Sequence, residues 1–183
     1  ATATDPSALL SSGFTAAANI TLDGQQYSAS ADELLKVGNA TAWLAGAIVN
    51  EWHVSAPLKN AQGVNHPHLT ARFAIRFYNG SKKTRVDVTI ENNWAYEPAP
   101  QNFTYDAEIT VGGQPVFAKA GLTHYHHARW RKLFWWGGEP MVHIKHNTAY
   151  LIDTKAVPNY DRSIVIRETT LASMKTKYTG VET

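Results

Sequence analysis

Between Thr123 and Gly137 the chain reads Thr-His-Tyr-His-His-Ala-Arg-Trp-Arg-Lys-Leu-Phe-Trp-Trp-Gly, which gathers His124, His126, His127, Trp130, Trp135, Trp136, Arg129, Arg131 and Lys132 into one short stretch. Flat indoles stack on the axial C–H faces of sugar rings, and neighbouring Arg and His donors hydrogen-bond the hydroxyls. In an extended chain, period two puts His127, Arg129, Arg131, Leu133 and Trp135 on one face and His126, Ala128, Trp130, Lys132, Phe134 and Trp136 on the other. Neither face is cleanly apolar, so both are expected to meet a partner or line a cleft. The alternative for Trp130, Phe134 and Trp136 is the core, with the cations as a solvated rim.

A second aromatic group is Trp94 and Tyr96 in the segment Asn92 to Asn102, stiffened by Pro98 and Pro100. It is expected to form a binding edge, or else to fold over the end of the domain with Trp94 plugging the core. The ligand-binding set read from the sequence is therefore Trp130, Trp135, Trp136, Arg129, Arg131, His126, His127, Trp94 and Tyr96.

Histidine spacings raise a separate chemistry. His124-x-His126, His66-Pro-His68 and His143-x-x-His146 resemble the beginnings of β metal sites, because a His-x-His pair on a strand projects both imidazoles from one face. A transition metal or calcium at His124, His126, His143 and His146 is the weaker expectation. Hydrogen-bonded or cleft-lining imidazoles, with no cofactor, are the stronger one. His124 and His126 are also expected to cluster with His143 or His146. Elimination on an acidic polysaccharide would need a cation on the carboxylate and a base on the adjacent carbon, types offered by Arg129, Arg131, His124, His126, Tyr125 and Tyr105. No carboxylate pair, nucleophile elbow, phosphate loop or dinucleotide fingerprint stands out, so binding is expected of the chain alone, with lyase chemistry only within a larger catalytic protein.

Patterning indicates what must hold these residues. Leu69, Ala71, Phe73, Ile75 and Phe77 alternate with polar residues, as do Val86, Val88 and Ile90, and Asn79 to Lys83 supplies the turn between them. Opposite charges should face across this hairpin, with Arg76 opposite Asp87 and Arg72 opposite Glu91. A second hairpin turns at Gly112-Gly113, which should set Val111 opposite Gln114 and Asp106 opposite Lys119. Further strands are expected at 14–22, 25–30, 42–54, 126–136, 140–145 and 148–153. Ser30 and Glu33 mark a capping box for a short helix to Val37. The fold class is all-β, an antiparallel β-sandwich of two packed sheets with at most one short helix. It should occupy 1–160, with 161–183 a polar tail or linker in which 163–178 could form a frayed helix.

Composition bounds the function. The 183 residues are 44% hydrophobic and 17% charged, enough for a substantial core, and a net charge of +2 is too mild for nucleic acid. No apolar run approaches the roughly 20 residues of a membrane helix. Zero cysteines exclude disulfides and thiol chemistry. The opening Ala1-Thr-Ala-Thr fits either a mature chain after signal removal or a piece of a longer one.

The runs Val49-Asn-Glu-Trp-His-Val-Ser-Ala-Pro-Leu58, Leu69-Thr-Ala-Arg-Phe-Ala-Ile-Arg-Phe-Tyr-Asn-Gly80 and Thr84-Arg-Val-Asp-Val-Thr-Ile-Glu-Asn92, with the Gly63 spacer between the first two, resemble the central β-sandwich of exo-rhamnogalacturonan-lyase-like proteins over roughly residues 40–95. That resemblance implies a sandwich working beside catalytic neighbouring domains, and it transfers no catalytic residue. The expected partners are a polysaccharide or neighbouring domains or subunits, in an extracellular or periplasmic setting. The competing expectation is a structural or adhesive domain of a phage virion or bacterial surface assembly that uses the same aromatic segment as a protein interface.

Overall fold

A computed structural model describes residues 5–38, 40–139, 147–156 and 167–177. The chain divides into two compact units, Ala1–Pro140 and Met141–Thr183. All the described strands fall in the first. They are β1 (Ala16–Leu22), β2 (Gln25–Ser30), β3 (Thr41–Leu44), β4 (Val49–Lys59), β5 (Asn65–Tyr78), β6 (Thr84–Asn92), β7 (Phe103–Val111), β8 (Gln114–His124) and β9 (Ala128–Trp136).

The fold is all-β and antiparallel, in one continuous sheet of order β8-β7-β1-β2-β4-β5-β6-β9, with β3 added beside β4. Where two separate sheets were expected, the two layers are halves of one sheet. They are joined along one side by the single pair Ser28↔Lys59 between β2 and β4. So slight a ladder lets the sheet fold sharply, and the layers curl until β8 and β9 lie side by side, close to a barrel. Alternation dictates the core. Ile20, Trp52, Phe73, Ile75, Phe77, Val86, Val88, Ile90, Tyr105 and Ile109 point inward and are all at most 3% exposed. Each large apolar side chain so buried contributes about 1.5–3 kcal/mol.

Helices are more numerous than the one expected. α2 (Ala31–Lys36) is that one, with Ser30 Oγ accepting from the Glu33 amide at 3.4 Å, the N-cap half of the expected capping box. α1 (Ser7–Leu10) tucks Leu9 into the core. In the second unit, α3 (Thr148–Asp153) replaces the strand expected at 148–153, because Asn147 Oδ1 caps it by accepting from the Tyr150 amide at 3.1 Å. α4 (Glu168–Lys177) lies within the helix expected at 163–178. The strand expected at 140–145, and with it His143 and His146, lies outside the described residues.

The β5–β6 register differs from the charge-matched one. Arg76 faces Arg85, Arg72 faces Thr89, and Phe77 faces Thr84. Charge is balanced across four strands rather than two. Arg76 pairs with Glu51 of β4, Arg72 reaches diagonally to Glu91, and Asp87 is taken by Arg131 of β9. In the second hairpin the Gly-Gly turn pairs Val111 with Gln114 as expected, but register shifts beyond it set Lys119 against Ala107, so Asp106 does not meet Lys119. Asp106 Oδ1 instead accepts from the Gly121 amide at 2.8 Å.

Candidate functional site

The outward residues of β4, β5, β6 and β9 form four cross-strand rows. In order they are Glu51, Arg76, Arg85, Trp135; His53, Ala74, Asp87, Leu133; Ser55, Arg72, Thr89, Arg131; and Pro57, Thr70, Glu91, Arg129. Ala74 has no bulk beyond Cβ, so the middle of the face is a dish rimmed by longer side chains. The resulting groove holds about 670 Å³ and reaches Trp43 of β3 at one side and Arg129 and Arg131 at the other. Its openings are flanked by aromatics. Trp43 is 65% exposed and stacks on His53 at 5.4 Å and 14°. Trp135 leans on Tyr78 at 5.9 Å. Trp94 donates through Nε1 to Thr70 Oγ1 at 2.9 Å, which anchors its half-exposed ring at the row of Thr70.

Cations outnumber acids here. Glu51 is buried, which pushes its carboxyl up, but hydrogen bonds from His53 and Arg76 and the Arg76 charge outweigh burial and hold it below the usual range. Asp87 holds the Arg131 guanidinium charged. The three carboxylates Glu51, Asp87 and Glu91 thus engage Arg76, Arg131 and Arg72. Arg85 and Arg129 are left over. Arg85 Nε is buried and donates no hydrogen bond among the described residues, and Arg129 approaches Glu91 only to 4.0 Å with its side chain 72% exposed. Guanidiniums with unused donors can fork onto carboxylate or phosphate oxygens.

The structure separates the residues that the sequence grouped. Arg129, Arg131 and Trp135 share the outer face with Trp94 at its end. Trp130 and Trp136 point inward: Trp130 packs on Phe117 at 5.7 Å, and Trp136 meets Phe14 edge-on at 5.9 Å. They seal the gap between β8 and β9, because a nearly closed sheet needs bulk where its last strands meet. His126 and His127 lie in the turn before β9, where His127 adopts φ 61 and its amide donates to Asn92 O. They do not share the arginine face. Tyr96 is fully exposed on the 93–100 loop. Trp43, Arg85 and His53 were missed. A Trp followed closely by Gly46 was the available signal, but its stacking on His53 depends on β3 pairing with β4.

The residue types expected for elimination are divided between the two faces of the sheet, apart from Tyr125 and His126 in the turn before β9. Tyr105 and His124 are each 2% exposed and face the interior, whereas Arg129 and Arg131 face out across the same sheet. The buried pair belongs to a relay: Trp130 Nε1 donates to Tyr105 Oη at 2.8 Å, Tyr105 Oη meets His124 Nδ1 at 2.8 Å, and His124 Nε2 meets Ala128 O at 3.0 Å. Burial pushes the Tyr105 phenol up, and it pushes His124 down against the Ala128 bond. Both rings are therefore neutral structural ties. His124 has no nitrogen left for a metal, and no group of three or more His, Asp or Glu converges on a metal position among the described residues.

No protein-family model matches the chain, and neither the curated proteins nor the solved structures yield a significant match.

Proposed function

We propose that this chain is a carbohydrate-binding β-sandwich module whose ligand is a carboxylate-bearing polysaccharide, held on the outer face of β3, β4, β5, β6 and β9. The observation that carries the reading is the pair of guanidiniums, Arg85 and Arg129, left without full acidic partners among the described residues in a dish lined by Trp43, with Trp135 paired beside Arg85 and Trp94 bonded to Thr70 on the same face. Indoles supply stacking area for pyranose rings, and the free guanidiniums fork onto uronate carboxylates. The resemblance of residues 40–95 to a sandwich from polysaccharide lyases supports the same reading, since that stretch supplies β3, β4, β5 and β6. Binding rather than turnover is the proposed role, in an extracellular or periplasmic setting, with any lyase chemistry belonging to neighbouring domains.

Affinity electrophoresis through gels containing polygalacturonate, alginate or neutral dextran tests it directly. Retardation by the uronates alone, weakening as salt rises, is the expected outcome. Equal migration in all gels contradicts it.

A second reading has its own observation. Trp43, Leu44 and Ile48 are 65%, 36% and 77% exposed on β3 and the loop that follows it, an apolar strip beside a free strand edge. That strip favours the alternative role of a structural or adhesive domain in a virion or surface assembly. Oligomerisation in solution together with no glycan retardation is the pattern it predicts.

A further inference from the structure

One end of the sandwich is built from imidazoles. His66 and His68 at the start of β5 are 6% and 3% exposed. His66 meets Phe103 of β7 at 5.1 Å and Tyr27 of β2 at 5.0 Å, while His68 lies 5.6 Å from the Phe103 ring and 6.2 Å from His66. The rings of His126 and His127, from the turn before β9, lie 3.9 Å apart and tilted by 51°, and His126 feels the charge of His127 and of His68. His124 lies beside them in sequence, bonded into the Tyr105 and Ala128 relay.

The protonation state of this end is fixed by its hydrogen bonds. His66 Nδ1 accepts from the amides of His68 at 3.1 Å and Leu69 at 3.0 Å, so a proton there would break two backbone bonds at the start of β5. The Nδ1 atoms of His68 and His126 are buried without partners among the described residues. A proton on either would be a buried donor with nothing to receive it. The groups facing these rings are Tyr27 from β2, Phe103 and Tyr105 from β7, and the other imidazoles. No carboxylate acts on His66, His124 or His126.

We infer that this histidine end is an acid-sensitive latch: as pH falls below neutral, protons favour an opened form whose imidazoles can take them up over the closed form, in which His66 Nδ1 is committed to two amides, and the β5 start, the 125–127 turn and the adjoining ends of β8 and β9 are released. Burial, reinforced by the His68 charge, pushes His66 down to about 4. A histidine that is neutral when folded takes up its proton more readily once unfolded. Stability is therefore full above the ordinary imidazole value of 6.5 and drains as pH falls from there towards about 4.

The full chain is melted between pH 8 and pH 5, above the ordinary carboxylate range, beside His66→Asn, whose side-chain oxygen can replace Nδ1 as acceptor but takes no proton. Expected are a melting temperature that falls by several degrees in the wild type below about pH 6.5 and a visibly shallower fall in the variant. Imidazole NMR titration of the wild type decides the matter should the variant not fold: His66 remains neutral through pH 5 in a working latch. Flat melting temperatures with His66 titrating at the free-histidine value overturn the inference, as does an identical pH dependence in the wild type and a folded variant.

Discussion

Arg85, Arg129 and Arg131 are the same residue type on adjacent strands, yet their surroundings give them different work. Arg131 closes on Asp87, which is 6% exposed. Arg131→Gln should therefore destabilise the fold by about 1–3 kcal/mol by stranding that carboxylate, and chemical denaturation reads this directly. Arg129 is loosely held, so Arg129→Gln should leave the denaturation midpoint nearly unchanged while weakening uronate binding. Equal stability losses in the two variants would contradict the assigned division of labour. The tryptophans divide the same way. Trp130→Ala should cost about 3–5 kcal/mol, because the ring fills the seam and donates to Tyr105. Trp43→Ala should instead cost binding, on the order of 2 kcal/mol, with the fold intact. Thermal melts and glycan titrations on the two variants separate these outcomes. Residue types pointed to the chemistry in the sequence, and alternation put Arg129, Arg131 and Trp135 on one face. What alternation could not say was which face of the 128–136 strand turns inward, since Trp130, Phe134 and Trp136 on one side and Trp135 with Leu133 on the other are both partly apolar. That depended on β9 closing the sheet.

At the scale of elements, the strands and turns were legible and the pairings less so. The β5 and β6 alternation and the Gly112-Gly113 turn are local patterns, and both appear in the structure. The β5–β6 register failed because the two-strand charge rule ignores third strands: Glu51 and Arg131 supply partners from β4 and β9, which frees Arg76 to face Arg85. The expected 42–54 strand breaks into β3 and β4 because Asn50 and Asn79 tie down the loop between them. Asn50 Oδ1 accepts from the Gly46 amide at 3.0 Å, and Asn79 Nδ2 donates to Ala47 O at 2.8 Å. Such side-chain ties leave no periodic trace. The expected strand at 148–153 failed for a related reason, since a short apolar run does not distinguish strand from helix and the Asn147 cap decided it. The β7–β8 turn carries a prediction of its own. A Cβ on Gly112 would come within 2.9 Å of the Trp136 ring, and the backbone there has φ +61. Gly112→Ala should lower stability by about 1–3 kcal/mol and disturb the seam, whereas Gly113→Ala meets no neighbour within 4 Å and pays only the backbone strain. Equal denaturation midpoints for the two variants would refute the packing of Trp136 against the turn.

For the whole first unit, sheet closure links fold to site. A single-pair joint between β2 and β4 folds the sheet into two layers, inward tryptophans seal the far side, and the outer face of one layer is left broad, cationic and shallow at Ala74. The all-β class followed from patterning, while the continuity of the sheet and the dish on its face arise from pairings between distant segments. That dish is where an anionic glycan is proposed to bind. Backbone amide shifts of the full chain, followed by NMR during titration with uronate oligosaccharides, test it most directly. Perturbations are expected to concentrate at Trp43, Arg72, Arg85, Arg129 and Trp135 and to diminish as salt is raised, with Trp130 and Trp136 little affected. Perturbations confined to the 93–100 loop or the histidine end, or none at millimolar oligosaccharide, would contradict it.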